Sequence, residues 1–196
     1  MPRTKEQFEE IRNKTNHKII ESALVLFAEK GFKGTSINDI SKAAGISKGL
    51  AYNYYNSKND LMIAVFSLLK EEIGSMFMAM EETDDPFEKL KIIINLTCKN
   101  LKKDEKFWRL YMNFAFQPVV QEVAGEFMSD FLAEAFKAME KIFKDIGVKN
   151  PKEESKIFGA ILDGVGFHYI FDRGNYPLEK MRKFLLKKYS KQGLIM

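Results

Sequence analysis

Cysteine is nearly missing from this chain: Cys98 is the only one among 196 residues, which excludes an internal disulfide and any cysteine-built metal cluster. Histidine is almost as scarce, with two residues, so a structural zinc site is not expected either. No metal and no cofactor are anticipated. Long apolar runs are missing as well; nothing approaches the roughly 20 residues that a membrane-spanning helix needs. The opening MPRTKEQFEEIRNK lacks the apolar centre of a signal peptide. The expected location is therefore the cytoplasm, with no membrane partner. No stretch alternates apolar and polar residues at strand period, and there is no internal repeat, which leaves an all-α chain.

What is present is ordinary in bulk and uneven in detail. Hydrophobic residues make up 45% and charged residues 30%, as in a common globular protein, and the length suits one domain or a small domain joined to a larger one. The net charge of +4 is too small to establish a nucleic-acid partner. Between Lys30 and Lys58, however, there are five lysines and one acidic residue, Asp39. Such a run is either a solvated face or one turned toward phosphates.

The most informative stretch is Thr35 to Leu61, TSINDISKAAGISKGLAYNYYNSKNDL. Ser36 with Asp39 three residues on forms a capping box, so a helix starts there. Ile37, Ile40, Ala43 and Ala44 recur at helical spacing, and Gly45 stands where a helix needs a left-handed residue to stop. Ser47 caps the next helix, about 47–54. Its first turn holds Gly49, which costs roughly 1 kcal/mol against alanine and lets the backbone approach another surface closely. Lys48, Tyr52, Asn53, Tyr54 and Lys58 supply hydrogen-bond donors, while Leu50, Ala51 and Tyr55 are candidates for the inward side. Two short helices around a glycine turn, the second rich in donors, read as a helix-turn-helix whose recognition helix enters the major groove.

From about Ile19 to Val65 the chain resembles the DNA-binding domain of the TetR family of bacterial transcription regulators. The resemblance rests on ALVLFAEKGF, Gly31, Gly34, the Thr-Ser cap, AG, SKG, the tyrosine-rich segment and SK ahead of an acidic-capped helix. Two positions depart from the common pattern: Leu50 stands where threonine is frequent and Ala51 where leucine is frequent. The resemblance implies a homodimer on an inverted-repeat operator in double-stranded DNA, nucleoid-associated when bound, and a small-molecule ligand held in the second half. The phosphate contacts expected are Thr35, Lys48, Tyr54 and Lys58, with Ser36 beside them; Ser47, Gly49, Leu50, Tyr52 and Asn53 would face base edges.

Elsewhere the periodicity gives about nine helices. The lead-in to Asn16, with Arg3, Lys5, Arg12 and Lys14 among glutamates, is a frayed or helical arm, solvated or touching phosphates. Ile19, Ile20, Ala23, Leu24, Leu26 and Phe27 form the first clear helix, stopped by Gly31. Ser57 and Asp60 cap a long connecting helix, 57–80, through Leu61, Val65, Leu69, Ile73 and Phe77. The polar EETDDP run, 81–86, is the best boundary, so the division expected is 1–56, the connector, and a regulatory and dimerisation domain over 81–196. Asp85, Pro86 and Glu88 then read as N-cap, N1 and N3 of a further helix.

The aromatic supply of the second half serves either as core or as the wall of a pocket. The pocket candidates are Cys98, Trp108, Tyr111, Asn113, Phe114, Phe131 and His168. The last two long helices, about 153–172 and 178–189, are expected to pair with their copies through Ile161, Leu162, Val165, Tyr169, Met181, Phe184 and Leu185. Gly159, Gly164 and Gly166 would weaken the first of these unless close packing offsets them. No catalytic residue is expected: His168 and Asp163 lie five apart, on different sides of a helix, and Cys98 has no nearby base. A ligand-independent architectural DNA binder of the same fold is the alternative, with a helical enzyme or protein-interaction module further behind.

Overall fold

The computed structural model describes residues 4–172 and 174–194. Arg3 and the side chains of Leu69 and Ile73, all named from the sequence, lie outside the described residues. Ten helices and no strand occur among those described: α1 (Lys5–Lys30), α2 (Ile37–Ala43), α3 (Lys48–Tyr52), α4 (Lys58–Met80), α5 (Pro86–Lys103), α6 (Glu105–Ala115), α7 (Pro118–Ile146), α8 (Pro151–Phe171), α9 (Leu178–Lys188) and α10 (Lys191–Leu194). The lead-in is thus continuous with the first helix. Thr4 caps it in a box with Gln7, and α10 is a short addition that the apolar periodicity did not reveal.

Local punctuation accounts for several helix ends. The Ser36 side chain accepts the Asp39 amide at 3.1 Å while Asp39 accepts the Ser36 amide at 3.0 Å. Ser57 and Asp60 repeat that reciprocal pair, each bond 3.0 Å, at the start of α4. Asp85 caps α5 with Pro86 at its first position. Gly45, at φ 70°, ends the α2 turn in the left-handed region, where any side chain would be strained.

The chain divides into two compact units. The first comprises Met1–Lys70 with Leu110–Phe127; the second comprises Glu71–Arg109 with Met128–Met196. The polar EETDDP run marks the end of a helix, and the chain returns to the first unit far downstream of it. There Phe114 stacks on Phe27 at 5.8 Å and lies 5.3 Å from Phe66, and Tyr111 meets Phe66 edge-on at 6.0 Å. These rings join Ile19, Leu24, Ile40, Leu61 and Val65 in the buried core.

In the second unit Phe143, Phe158 and Tyr189 form an edge-to-face trio, with Phe158 4.7 Å from Tyr189. Around them are buried Leu90, Ile94, Cys98, Leu162, Val165 and Leu185. A Cβ on Gly159 would stand 2.8 Å from the ring of Phe136, so that glycine does permit close packing of α8, whereas Gly164 faces open space.

Candidate nucleic-acid interface

A helix of five residues has no stability of its own, so α3 must be held by its ends and by one anchored side. Ser47 accepts the Leu50 amide at 3.1 Å at the N-terminus. Ala51 is the buried residue of the helix. Just beyond the C-terminus, the Tyr55 hydroxyl donates to Asn16 Oδ1 at 2.6 Å, and burial raises its pKa. Everything else points out. Ser47, Lys48, Gly49, Leu50, Tyr52 and Asn53 are all exposed, Tyr52 at 46%. Of the inward candidates, Ala51 and Tyr55 are taken up by the fold and Leu50 is not.

The exposed face is polar and cationic with aromatic platforms. Lys48 Nζ lies 5.9 Å from the Tyr52 ring centre. At the other end, the Arg12 guanidinium lies 5.8 Å from the Tyr54 ring, and the Tyr54 hydroxyl donates to the Arg12 carbonyl at 3.4 Å. Ser36 is exposed, but its hydroxyl is engaged with Asp39, donating to Oδ2 at 2.5 Å. That contact holds the Asp39 carboxyl below its usual range.

A family of bacterial regulatory proteins, the tetR family, matches residues 19–65, which span this helix-turn-helix. The domain belongs to the TetR family. Among curated relatives, the regulator AcrR of Shigella flexneri is 29% identical over 126 residues, 63% of this chain and 55% of the relative. The fatty acid metabolism regulator protein of Bacillus subtilis is 36% identical over 64 residues, 33% of this chain and 31% of that one. The chain therefore spans about half, or less, of the length of these relatives. Solved structures share the fold over most of its length. FadR of Bacillus halodurans has a TM-score of 0.73 at 23% identity, covering 89% of this chain and 94% of that one. FadR of Bacillus subtilis, solved with stearoyl-CoA, has 0.72 at 19%, covering 90% and 98%.

Two of the phosphate contacts expected of the TetR domain are corrected by its geometry. Thr35 is 2% exposed, and its hydroxyl donates to the carbonyls of Gly31 at 2.9 Å and Leu26 at 3.1 Å. Lys58 turns inward: its ammonium donates to the carbonyls of Phe32 at 2.7 Å and Thr35 at 2.8 Å and sits 4.2 Å from the Phe32 ring. Burial lowers its pKa. Both residues brace the turn between α1 and α2. The sequence showed that they could donate hydrogen bonds, but not in which direction. Gln117, which the sequence did not single out, serves the same turn: its Nε2 donates to the Phe27 carbonyl at 2.7 Å and its Oε1 accepts the Phe32 amide at 3.2 Å.

The pocket candidates are divided between the two units. Tyr111, Asn113 and Phe114 belong to the first unit, and Cys98, Trp108, Phe131 and His168 to the second. Phe114 is fully buried among the core rings and Cys98 is buried in the other core, where burial pushes its thiol up. Both fill interior space, and neither lines the groove described below. Asn113 and His168 are exposed, His168 stacking on Tyr176 at 5.8 Å. Within the second unit there is an open groove of about 540 Å³, walled by Lys102, Tyr169, Tyr176, Leu178 and Glu179 among others. None of the seven candidates lines it.

The expected pairing face is also partly corrected. Leu162, Val165 and Leu185 are buried in their own unit's core, with Ile161 and Tyr169 packed against it. Met181 is half-buried, and Phe184 is exposed at 61%. The apolar side chains that α8 leaves uncovered are Ile157, Phe167 and Phe171, the last exposed at 79% and stacked on Phe167 at 5.8 Å. They recur at helical spacing just as the buried set does. A helix apolar on two sides cannot say from its period alone which side meets its own core.

Lys58→Met is expected to lower stability by roughly 1–2 kcal/mol, since it strips two carbonyls of a charged donor, without changing the salt dependence of duplex binding. Thermal unfolding with a salt titration checks this. A reduced salt slope would return Lys58 to the phosphate contacts.

Proposed function

We propose that the protein is a transcription regulator, acting as a repressor, that grips an inverted-repeat operator as a homodimer and is released by a small apolar or aromatic ligand. The observation that carries the reading is the exposure of Lys48, Gly49, Tyr52 and Asn53 on a short helix anchored through Ala51. Lys48 and Tyr54 supply phosphate contacts; Ser47, Gly49, Tyr52 and Asn53 address base edges. Leu50 offers an apolar contact, such as one to a thymine methyl. The second copy docks on the uncovered face of Ile157, Phe167, Phe171 and Phe184, because four large apolar side chains on two helices of one unit are best hidden by their own symmetry mates. Release by ligand follows if the ligand prefers one spacing of the two recognition helices, with α4 as the moving rod; without such a preference no affinity changes.

The interior positions of Phe114 and Cys98 favour one second reading, a DNA binder of this fold that answers to no ligand. Stearoyl-CoA, the molecule bound by one structural relative, is the first probe. The regulator reading expects it to raise the melting temperature and weaken operator binding by tenfold or more; a panel of acyl and aromatic compounds that leaves both unchanged favours the architectural binder.

Lys48→Ala is expected to weaken binding to every duplex and to reduce the slope of log K against log salt by about 0.9, one released counterion. Tyr52→Ala should instead narrow the gap between operator and random DNA. Variants indistinguishable from the parent on both measures would remove α3 from the groove. Phe171→Glu with Phe184→Glu is expected to yield a folded monomer in sedimentation with operator affinity reduced at least a hundredfold. A dimer that survives both charges would place the interface elsewhere.

A further inference from the structure

The geometry points to Arg12, outside the matched residues 19–65, as a phosphate contact of the interface, placed at the far end of the recognition segment from Lys48. This rests on the DNA-binding reading above. Residues 4–14 are exposed throughout, so the first turns of α1 form an arm that the core does not use. The arm is nevertheless tied to the recognition element. The Tyr54 hydroxyl donates to the Arg12 carbonyl at 3.4 Å, and one turn further along the Tyr55 hydroxyl bonds Asn16 at 2.6 Å. Arg12 is thereby held beside the segment that carries Tyr52 and Asn53.

Its side chain is suited to the role. The guanidinium lies 5.8 Å from the Tyr54 ring centre, and a guanidinium beside an aromatic ring keeps its N–H donors available for two oxygens of one phosphate. Lys48 stands in the same relation to Tyr52, so the two tyrosines each carry a cation, one at either end of the exposed face. With Lys58 turned inward on Phe32 and Thr35, Arg12 supplies the charge that the sequence had assigned to it. Of the arm's carboxylates, Glu10 is paired with Lys14 at 2.6 Å. Glu9, three residues before Arg12, is the group that would compete with a phosphate.

The test is duplex binding by fluorescence anisotropy between about 50 and 200 mM salt, the range over which phosphate contacts separate, on a random-sequence duplex and on one recovered by selection. Arg12→Ala, at an exposed helical position, leaves the fold intact. It is expected to weaken both duplexes by similar factors of about five to twenty and to lower the salt slope by about 0.9. Arg12→Lys should restore the slope and part of the affinity. Glu9→Gln should tighten binding about twofold. A parent-like slope in Arg12→Ala overturns the proposal even if affinity falls, because that pattern means the arm merely props Tyr54. A parent that shows no salt-sensitive duplex binding overturns the DNA reading and this proposal together.

Discussion

Ala51 is the one side chain of the recognition helix that the domain buries, and the rest of the interface depends on it. A helix of one and a half turns survives only where tertiary contacts supply what propagation cannot. Here the buried methyl, the Ser47 cap and the Tyr55–Asn16 hydrogen bond fix both ends and one face. Alanine in place of the leucine frequent at this position still supplies a buried anchor.

The second constraint lies behind that helix, in the turn between α1 and α2. Its backbone carbonyls and amides are collected by side chains both near and distant in sequence: Thr35 from within the turn, Lys58 from α4 and Gln117 from the junction of α6 and α7. Backbone groups away from water need partners, and borrowing them from three elements makes the turn rigid. It also links the small domain to α4, α6 and α7, the helices whose residues are divided between the two units.

Much of this was legible in the sequence because it is local. Ser36 with Asp39, Ser57 with Asp60, Asp85 with Pro86, and Gly45 each state a helix boundary within four residues, and each boundary is where those residues place it. Direction is not local. Thr35 and Lys58 carry donors that suit phosphates, yet both point inward, and only the positions of the carbonyls they meet, Leu26 and Gly31 for Thr35 and Phe32 and Thr35 for Lys58, decide it. Phe114 and Gln117 belong to the first unit through contacts about 85 to 90 residues apart along the chain, which no window of periodicity reaches. On α8 two apolar stripes compete, and Leu162 and Val165 differ from Phe167 and Phe171 only in which neighbour they meet.

In the proposed reading Lys48, exposed on α3, faces DNA, while Lys58, ten residues later, is committed to the fold. Quantitative acetylation of the two side chains with and without duplex measures that directly. Lys48 should react freely in the unbound protein and be strongly protected by duplex, while Lys58 reacts slowly in both. A duplex that binds yet leaves Lys48 fully reactive would contradict the account.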